Sequence, residues 1–407
     1  LYYADSNLRK NYPVLANIRF LLEHFRPEIR QYFIADNLEE RPFNRETRDL
    51  IYRRGKGLDD TIPFGTERDI TSEGYLCLFH SINACHIVPE EVRVTIGGPD
   101  CRQPYHASLL NISGMSFGAL SNNAISALNK GAALGGFCHN TGEGGIMLVE
   151  VGKTVYSPAC HPEFDTPLGL LKFVERLRSL SEGKPVGFKL CIGKKSEFMG
   201  IVKAMLVSGI TPDFITIDGA EGGTGAAPVE FSNRLGMPSL EATYFVEQVL
   251  KGAGLRSRIK LISAGKVASG FDLLAKIALG ADAVNSGRAM MLALGCIQSK
   301  SCNTNRCPTG VATQDKARAK ALDVDLRSVR VKNYQANTLH AFLELCGALG
   351  YHSPDQLKPA DLYQRTEKGM RHFDQIYYPL AHEQLLEQNV PEFYAEDWQR
   401  ASADAFV

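Results

Sequence analysis

Between about residue 108 and residue 295 the chain repeats one pattern: a short apolar run, a glycine-rich turn, then an amphipathic helix. The runs fall at 109–113 (LLNIS), 136–140 (GFCHN), 186–190 (VGFKL), 214–218 (FITID), 259–263 (IKLIS) and 282–286 (DAVNS). Near-continuous apolar strands alternating with helices require a parallel sheet covered by helices. Helix signals fill the intervals. Ser121 suits the N-cap of a helix through Leu134, with Ala124, Ile125, Leu128 and Ala132 on one face and Gly135 as its stop. Thr166 with Pro167 behind it opens another, striped by Leu170, Phe173, Val174 and Leu177. Phe271, Leu274, Ala275 and Ala278 line a third, stopped by Gly280. A barrel and a doubly wound sheet both satisfy this rhythm. Glycines and polar residues crowd each strand's C-terminal end, where barrel enzymes build their sites.

Counting the runs gives six strands, and a closed barrel of this kind needs eight. Between Gly145 and Pro185 lie about forty residues holding one evident helix, too few for two further strand–helix units. Either the sheet is open, or a segment around strands 3 and 4 is missing from the sequence, with the junction between Ile146 and Ser157. The organisation expected is a mixed preamble over 1–106, a barrel over 107–295 interrupted near 146–157, a cysteine-bearing loop over 296–310, and a mostly helical extension over 311–407.

Forty-five basic and 45 acidic residues cancel, so the bulk charge carries no electrostatic footprint for nucleic acid or an anionic membrane. No apolar run reaches the roughly 18 residues needed to span a bilayer. A soluble, cytoplasmic protein is expected. The chain begins at Leu1 rather than Met, which leaves an anchor preceding it, and with it membrane association, as the alternative. Seven of the ten cysteines are scattered and read as small buried hydrophobes.

Several places carry residues fit for chemistry. The string DGAEGGTGA at 218–226 follows a strand end directly; its glycines let backbone N–H groups approach an anion closely, although the G-x-G-x-x-G spacing of a dinucleotide site is absent. Ser263-Ala264-Gly265 and Asn285-Ser286-Gly287-Arg288 end the last two strands, where many barrels bind a phosphate. The bland reading of Arg288 is a local salt bridge. Asn140-Thr141-Gly142-Glu143-Gly144-Gly145 is a further polar strand end. Lys189 lies between Phe188 and Leu190 in an apolar strand; it either faces a developing anion or snorkels to water from a strand edge. Finally Cys296-x5-Cys302-x4-Cys307 lacks the C-x2-C pairs of zinc motifs, and on spacing alone a metal site and incidental cysteines are equally consistent.

The strings at 113–121 (SGMSFGALS), 140–145 (NTGEGG), 218–228 (DGAEGGTGAAP) and 302–315 (CNTNRCPTGVATQD) resemble the synthase domain of glutamate synthase. The short FMN-binding proteins of that family are the nearest in pattern, and the likeness runs from Asn11-Tyr12-Pro13 to about residue 350. The resemblance implies an α/β chain folded as a (β/α)8 TIM barrel with FMN at the C-terminal mouth. By the same resemblance Gly114, Met115 and Ser116 flank the flavin, with Asn140, Thr141, Asp218, Gly222, Gly223 and Thr224 around it. Lys189 approaches its ring, and Gly265, Ser286, Gly287 and Arg288 hold its phosphate. Glu143 matches a residue for 2-oxoglutarate, making Lys189 and Glu143 the catalytic candidates. Cys296, Cys302 and Cys307 match the ligands of a [3Fe-4S] cluster. Relatives carry a long stretch after Gly145 with two barrel strands and a Gln-Gly-Ala-Lys-Pro-Gly string; here Ile146 passes quickly to Ser157, and a segment omitted from the sequence is favoured over a true deletion.

The reaction implied is condensation of ammonia with 2-oxoglutarate and reduction of 2-iminoglutarate to L-glutamate. The expected partners are that substrate and a separate electron-donor protein or subunit, with a homo-oligomer allowed and no nucleic acid. Ammonia is expected from solution or another subunit, because the family's cysteine amidotransferase domain is not in this sequence. The alternatives are an FMN-barrel oxidoreductase for another 2-oxo acid, 2-hydroxy acid or amine, and a barrel retained as a non-catalytic scaffold.

Overall fold

A computed structural model of the chain describes residues 11–88, 92–115, 118–142, 161–223, 227–387 and 389–407. It divides into two compact units, Leu1–Leu50 with Thr66–Arg68, and Ile51–Gly65 with Asp69–Val407. In the first unit the helix Pro13–Ile29 runs into a π-helical turn, Arg30–Ile34. Arg48 is buried there, donating to the Phe43 carbonyl at 2.9 Å and pairing with Glu40. Among the described residues no helix is long and apolar enough to cross a membrane.

The second unit holds ten strands among its described residues: β1 Leu76–Leu78, β2 Arg93–Ile96, β3 Tyr105–Ser108, β4 Leu110–Ile112, β5 Gly187–Cys191, β6 Phe214–Asp218, β7 Lys260–Ser263, β8 Ala283–Ser286, β9 Leu362–Thr366 and β10 Gly369–His372. Five of them form a parallel sheet in the order β4-β8-β7-β6-β5. Ile112 on the other side of β4 bridges in parallel to His139. The first strand of the repeat therefore stands between the second and the last. That neighbour relation belongs to a barrel; a doubly wound sheet sets its first strand beside one from the middle of the sequence. The fold is α/β of the (β/α)8 barrel class. Among the described residues the wall is not closed, and the gap lies between the His139 run and β5, where strands 3 and 4 would stand.

Local chemistry accounts for the elements. Ser121 caps the helix Asn122–Gly135 by accepting from the Ala124 amide at 3.2 Å. Thr166 caps Pro167–Leu180 through the Gly169 amide at 3.0 Å. The apolar helix stripes face inward and meet the sheet in one cluster that includes Leu171, Val202, Ile215, Ile217, Val246 and Leu261, all fully buried. The run at 136–140 differs from expectation. It forms a single bridge rather than a strand, and among the described residues only β4 stands beside it.

The C-terminal extension is not helical throughout. Its main helix, Val324–Ala348, is capped by Asp323 on the Leu326 amide at 2.9 Å. It lies close against two barrel helices. A Cβ at Gly131 would come within 2.8 Å of the Ser328 carbonyl, and one at Gly270 within 2.7 Å of the Phe342 nitrogen. Beyond it β9 and β10 make an antiparallel hairpin, and β1 from the preamble pairs with β9 from Leu76↔Gln364 to Leu78↔Leu362. The helical expectation passed over a short alternating run, LYQRT, followed by a turn into Gly369.

The N-terminal ends of β5 and β6 are fastened by Asp213, which is fully buried. Its carboxylate accepts from the Gly98 amide at 2.7 Å, the Val186 amide at 2.8 Å, and Arg178 Nη2 at 3.0 Å. Removing it leaves a nearly buried guanidinium and two amides without their acceptor. Asp213→Ala is expected to destabilise the chain by about 3–5 kcal/mol, measured by urea denaturation.

Candidate functional site at the C-terminal strand ends

The loops leaving β4, β6, β7 and β8 converge with the end of the His139 run. The Ser113 amide donates to the Ser286 carbonyl at 2.9 Å, tying the β4 loop to the β8 loop. A Cβ at Gly287 would sit 3.4 Å from Ser113 Cβ and 3.7 Å from Met115 Sδ. One at Gly114 would sit 3.2 Å from Asn140 Oδ1, and one at Gly223 3.0 Å from Arg288 Cδ. Gly265 has φ +105°, a backbone that favours glycine, and a Cβ there would meet the Gly219 nitrogen at 3.2 Å. These glycines keep backbone and side chains of neighbouring loops within contact distance along one rim.

Charge is distributed along the same rim. Lys189 Nζ lies 3.2 Å from Asp218 Oδ2, with the lysine side chain 40% exposed. Of the two readings of Lys189, the structure supports a half-exposed ammonium held at the strand end by a carboxylate. Arg288 donates to the Glu221 carbonyl, and burial pulls its pKa down against the attraction of Asp218 and Glu221. The Glu221 carboxylate accepts from the Ser239 amide at 3.0 Å and from the Ser239 hydroxyl. Behind it Lys276, on the helix Gly270–Ala278, donates to Ser239 Oγ at 2.6 Å and to the Ala264 carbonyl at 3.2 Å.

Most residues named from the sequence meet here. Gly114, Met115, Asn140, Lys189, Asp218, Gly222, Gly223, Gly265, Gly287 and Arg288 stand along the rim, and Thr141 is exposed beside Asn140. Ser286 is also present, but its hydroxyl donates to the Val267 carbonyl at 2.7 Å and is turned into the scaffold. Ser116, Glu143 and Thr224 lie outside the described residues. Sequence reasoning overlooked Lys276 and Ser239, although a lysine inside the apolar run Leu273-Leu274-Ala275-Lys276-Ile277-Ala278 was a readable signal. It also overlooked His139. Both of its ring nitrogens are buried with no hydrogen-bond partner among the described residues, and burial lowers its pKa, so the ring is neutral at physiological pH.

The three clustered cysteines are less cohesive than their spacing implied. Among the described residues no three His, Cys, Asp or Glu side chains are gathered so as to hold a metal ion. Cys302 is exposed, and burial of its thiol, with Cys307 nearby, raises its pKa. Cys307 differs. Burial raises its pKa, but the Ala312 amide, the Thr309 hydroxyl and amide and the Val311 amide outweigh that and leave it below its ordinary value. A cavity of about 850 Å³ opens at the opposite end of the strands, beside Lys260 and Asp282. Two of the cations that line it pair with one carboxylate, Arg256 with Asp282 at 2.8 Å and Lys260 with Asp282 at 3.2 Å.

A barrel-class α/β chain with a glycine-built rim carrying Lys189 and Arg288 at its C-terminal strand ends has the form of a barrel enzyme. This chain belongs to the glutamate synthase family: the family model described as "Conserved region in glutamate synthase" matches residues 88–151 and 146–352. It is 31% identical to the glutamate synthase large subunit-like protein YerD of Bacillus subtilis, across 90% of this chain and 91% of that protein. It is 35% identical to the archaeal glutamate synthase [NADPH] of Methanocaldococcus jannaschii across 52% of this chain, and the matched part spans 41% of that protein. A mutant flavocytochrome b2 with sulfite bound superposes with a TM-score of 0.36 at 13% identity, covering 86% of this chain and 85% of that one. That likeness is too slight to bear on cofactor or activity. The family makes this chain a glutamate synthase-like oxidoreductase.

The match to YerD shows a shortfall of the same kind. It runs over 479 positions, whereas 90% of 407 residues is about 366, so about 113 of those positions hold no residue of this chain. The two family-model segments meet at 146–151, where the strand count failed.

The contrast between the two loop thiols gives a direct expectation. In an alkaline titration followed by ultraviolet thiolate absorbance, Cys307→Ser removes an early step, while Cys302→Ser leaves that step and removes a later one.

Proposed function

We propose that the rim binds flavin mononucleotide and that the chain carries out the reductive amination of 2-oxoglutarate to L-glutamate. The observation that carries the reading is the meeting of Arg288, Lys189 and the glycine turns at Gly265, Gly223 and Gly287 on one rim of a glutamate synthase-family barrel. The donor set suits the cofactor. A phosphate needs a guanidinium and backbone that can approach without side chains intervening, and Arg288 beside Gly223 and Gly287 offers both. When bound, reduced FMN supplies hydride to the imine carbon formed from 2-oxoglutarate and ammonia.

The chain's own residues bind, orient and stabilise charge. Gly114 and Met115, against Asn140 and Gly287, form the side of the rim proposed to face the flavin ring. Lys189, oriented by Asp218, places a positive charge where negative charge develops on reduction. Ser116 and Thr224 are proposed as further flavin contacts, and Glu143 as the residue that orients the substrate. The reductant is proposed to come from a separate protein, with ammonia from solution or another subunit. The cysteine loop does not fit an iron–sulfur cluster as the described side chains stand: no three of them are gathered around one point. No step is routed through such a cluster.

The test is a titration of the full chain with FMN, followed by glutamate formation from 2-oxoglutarate and ammonia with a chemical reductant. Arg288→Met is expected to weaken FMN binding roughly 10- to 100-fold, the worth of one charge-assisted contact. Lys189→Met is expected to leave FMN affinity nearly unchanged while slowing glutamate formation roughly 100-fold. A wild-type protein that leaves flavin fluorescence unquenched at every concentration overturns the reading.

A further inference from the structure

Lys276 is 2% exposed and lies on a helix that otherwise presents leucine, alanine and glycine to the core. A buried ammonium is retained only where partners offset its desolvation. Its partners are Ser239 Oγ at 2.6 Å and the Ala264 carbonyl at 3.2 Å. Ser239 is itself buried and passes the contact on, its amide and hydroxyl both engaging the Glu221 carboxylate. Glu221 sits in the turn that follows β6. That turn is held from three sides: by the Glu221 side chain on Ser239, by the Glu221 carbonyl under Arg288, and by the Ala220 amide on the Met237 carbonyl at 2.9 Å.

We propose that Lys276 is a positioning residue which, through Ser239, fastens the Glu221 carboxylate and thereby fixes the 219–223 turn on the flavin rim. For its consequence in binding the proposal rests on the flavin reading; the fastening itself does not. With Lys276 charged, Ser239 Oγ accepts from the ammonium and donates its proton to Glu221, so the carboxylate sits at the end of a polarised chain. Without that charge the hydroxyl loses its strongest donor, and the turn keeps only its backbone contacts.

The fastening is also sensitive to pH. Burial pushes the Lys276 pKa down to about 8, against the carboxylates of Glu221 and Asp218 from the β6 side, Glu241 from the helix Ser239–Gly252, and Asp272 from its own helix. The sign follows from the direction. Below that value the cation is buried and the turn is held; above it the amine is neutral and the hold weakens. Global stability moves oppositely. The unfolded chain keeps its proton up to the ordinary lysine range, so the desolvation penalty on the fold is relieved as pH rises from about 8.

Hydrogen exchange of the Ala220 and Gly222 amides, corrected for intrinsic rates, tests this on protein without flavin. In the wild type their exchange should speed up roughly tenfold as pH passes through about 8, one charge-assisted hydrogen bond's worth. Lys276→Arg should keep them protected across the range, and Lys276→Met should leave them fast at every pH. If Lys276→Met does not fold, Glu221→Ala carries the test by releasing the same amides and abolishing the pH dependence. Wild-type protection in Lys276→Met, or in Glu221→Ala, overturns the proposal, as does a wild-type profile that does not change with pH. FMN titration of the same proteins separates the two ideas. A wild type that binds no FMN defeats the flavin reading and leaves the exchange result standing; a wild type that binds FMN while Lys276→Met stays protected defeats the fastening alone.

Discussion

The parallel pairing of β4 with β8 is the contact on which the rim depends. It sets Leu110 against Val284 and Ile112 against Ser286, with the Val284 amide on the Leu109 carbonyl at 2.7 Å. Both strands are buried along their whole length. The C-terminal helix clamps the pair from outside: Gln335 donates to Ser108 Oγ at 2.9 Å and to the Leu110 carbonyl at 3.2 Å, and Tyr334 donates to the Ala268 carbonyl at 3.0 Å. Because β4 and β8 lie in register, Ser113 and Met115 come to rest against Gly287, and Arg288 turns toward the glycines after β6. Residues from the two ends of the barrel segment thereby share one surface without any long side chain spanning between them.

Sequence was most readable where an apolar run ends in glycine or a cap. Five of the six runs became strands of one sheet, and the caps Ser121 and Thr166 stand where their residue types require. The rim was readable for the same reason: a parallel sheet delivers every strand's C-terminal residues to one end, so glycines and charges after each run had to meet. What the sequence did not show was partnership. Lys276 and Ser239 are 37 positions apart, and nothing in either local pattern names the other. Asp213 is similar, since its acceptor role depends on Gly98 and Arg178 from distant segments. The hairpin of β9 and β10 was missed because its alternation is short and partly polar, and its third partner, β1, lies almost three hundred residues earlier.

The described strands form an arc with β5 at one edge and the His139 run at the other. Along β5 the half-exposed Lys189 and the exposed Cys191 alternate with Phe188 and Leu190, which pack against the apolar cluster. A lysine on an edge strand discourages further strand pairing, so the charge that the flavin reading assigns to catalysis also suits an edge position. The residues at the ends of β4, β6, β7 and β8 are all retained, and these are the ones that form the glycine and arginine part of the rim.

The β4–β8 contact has a temporal side as well. Leu110 and Val284 are separated by 174 positions, whereas β6 and β7 are joined by an ordinary strand–helix crossover. Loop closure over such a span must be met before the contact gives anything back. On the ribosome, β4 emerges long before its neighbour exists and waits with its apolar residues unpaired while β5, β6 and β7 assemble beside one another. The last strand and the clamping helix arrive together, so maturation of this fold ends with a single joining event, and anything that delays residues 283–348 prolongs the life of a sticky, half-made sheet.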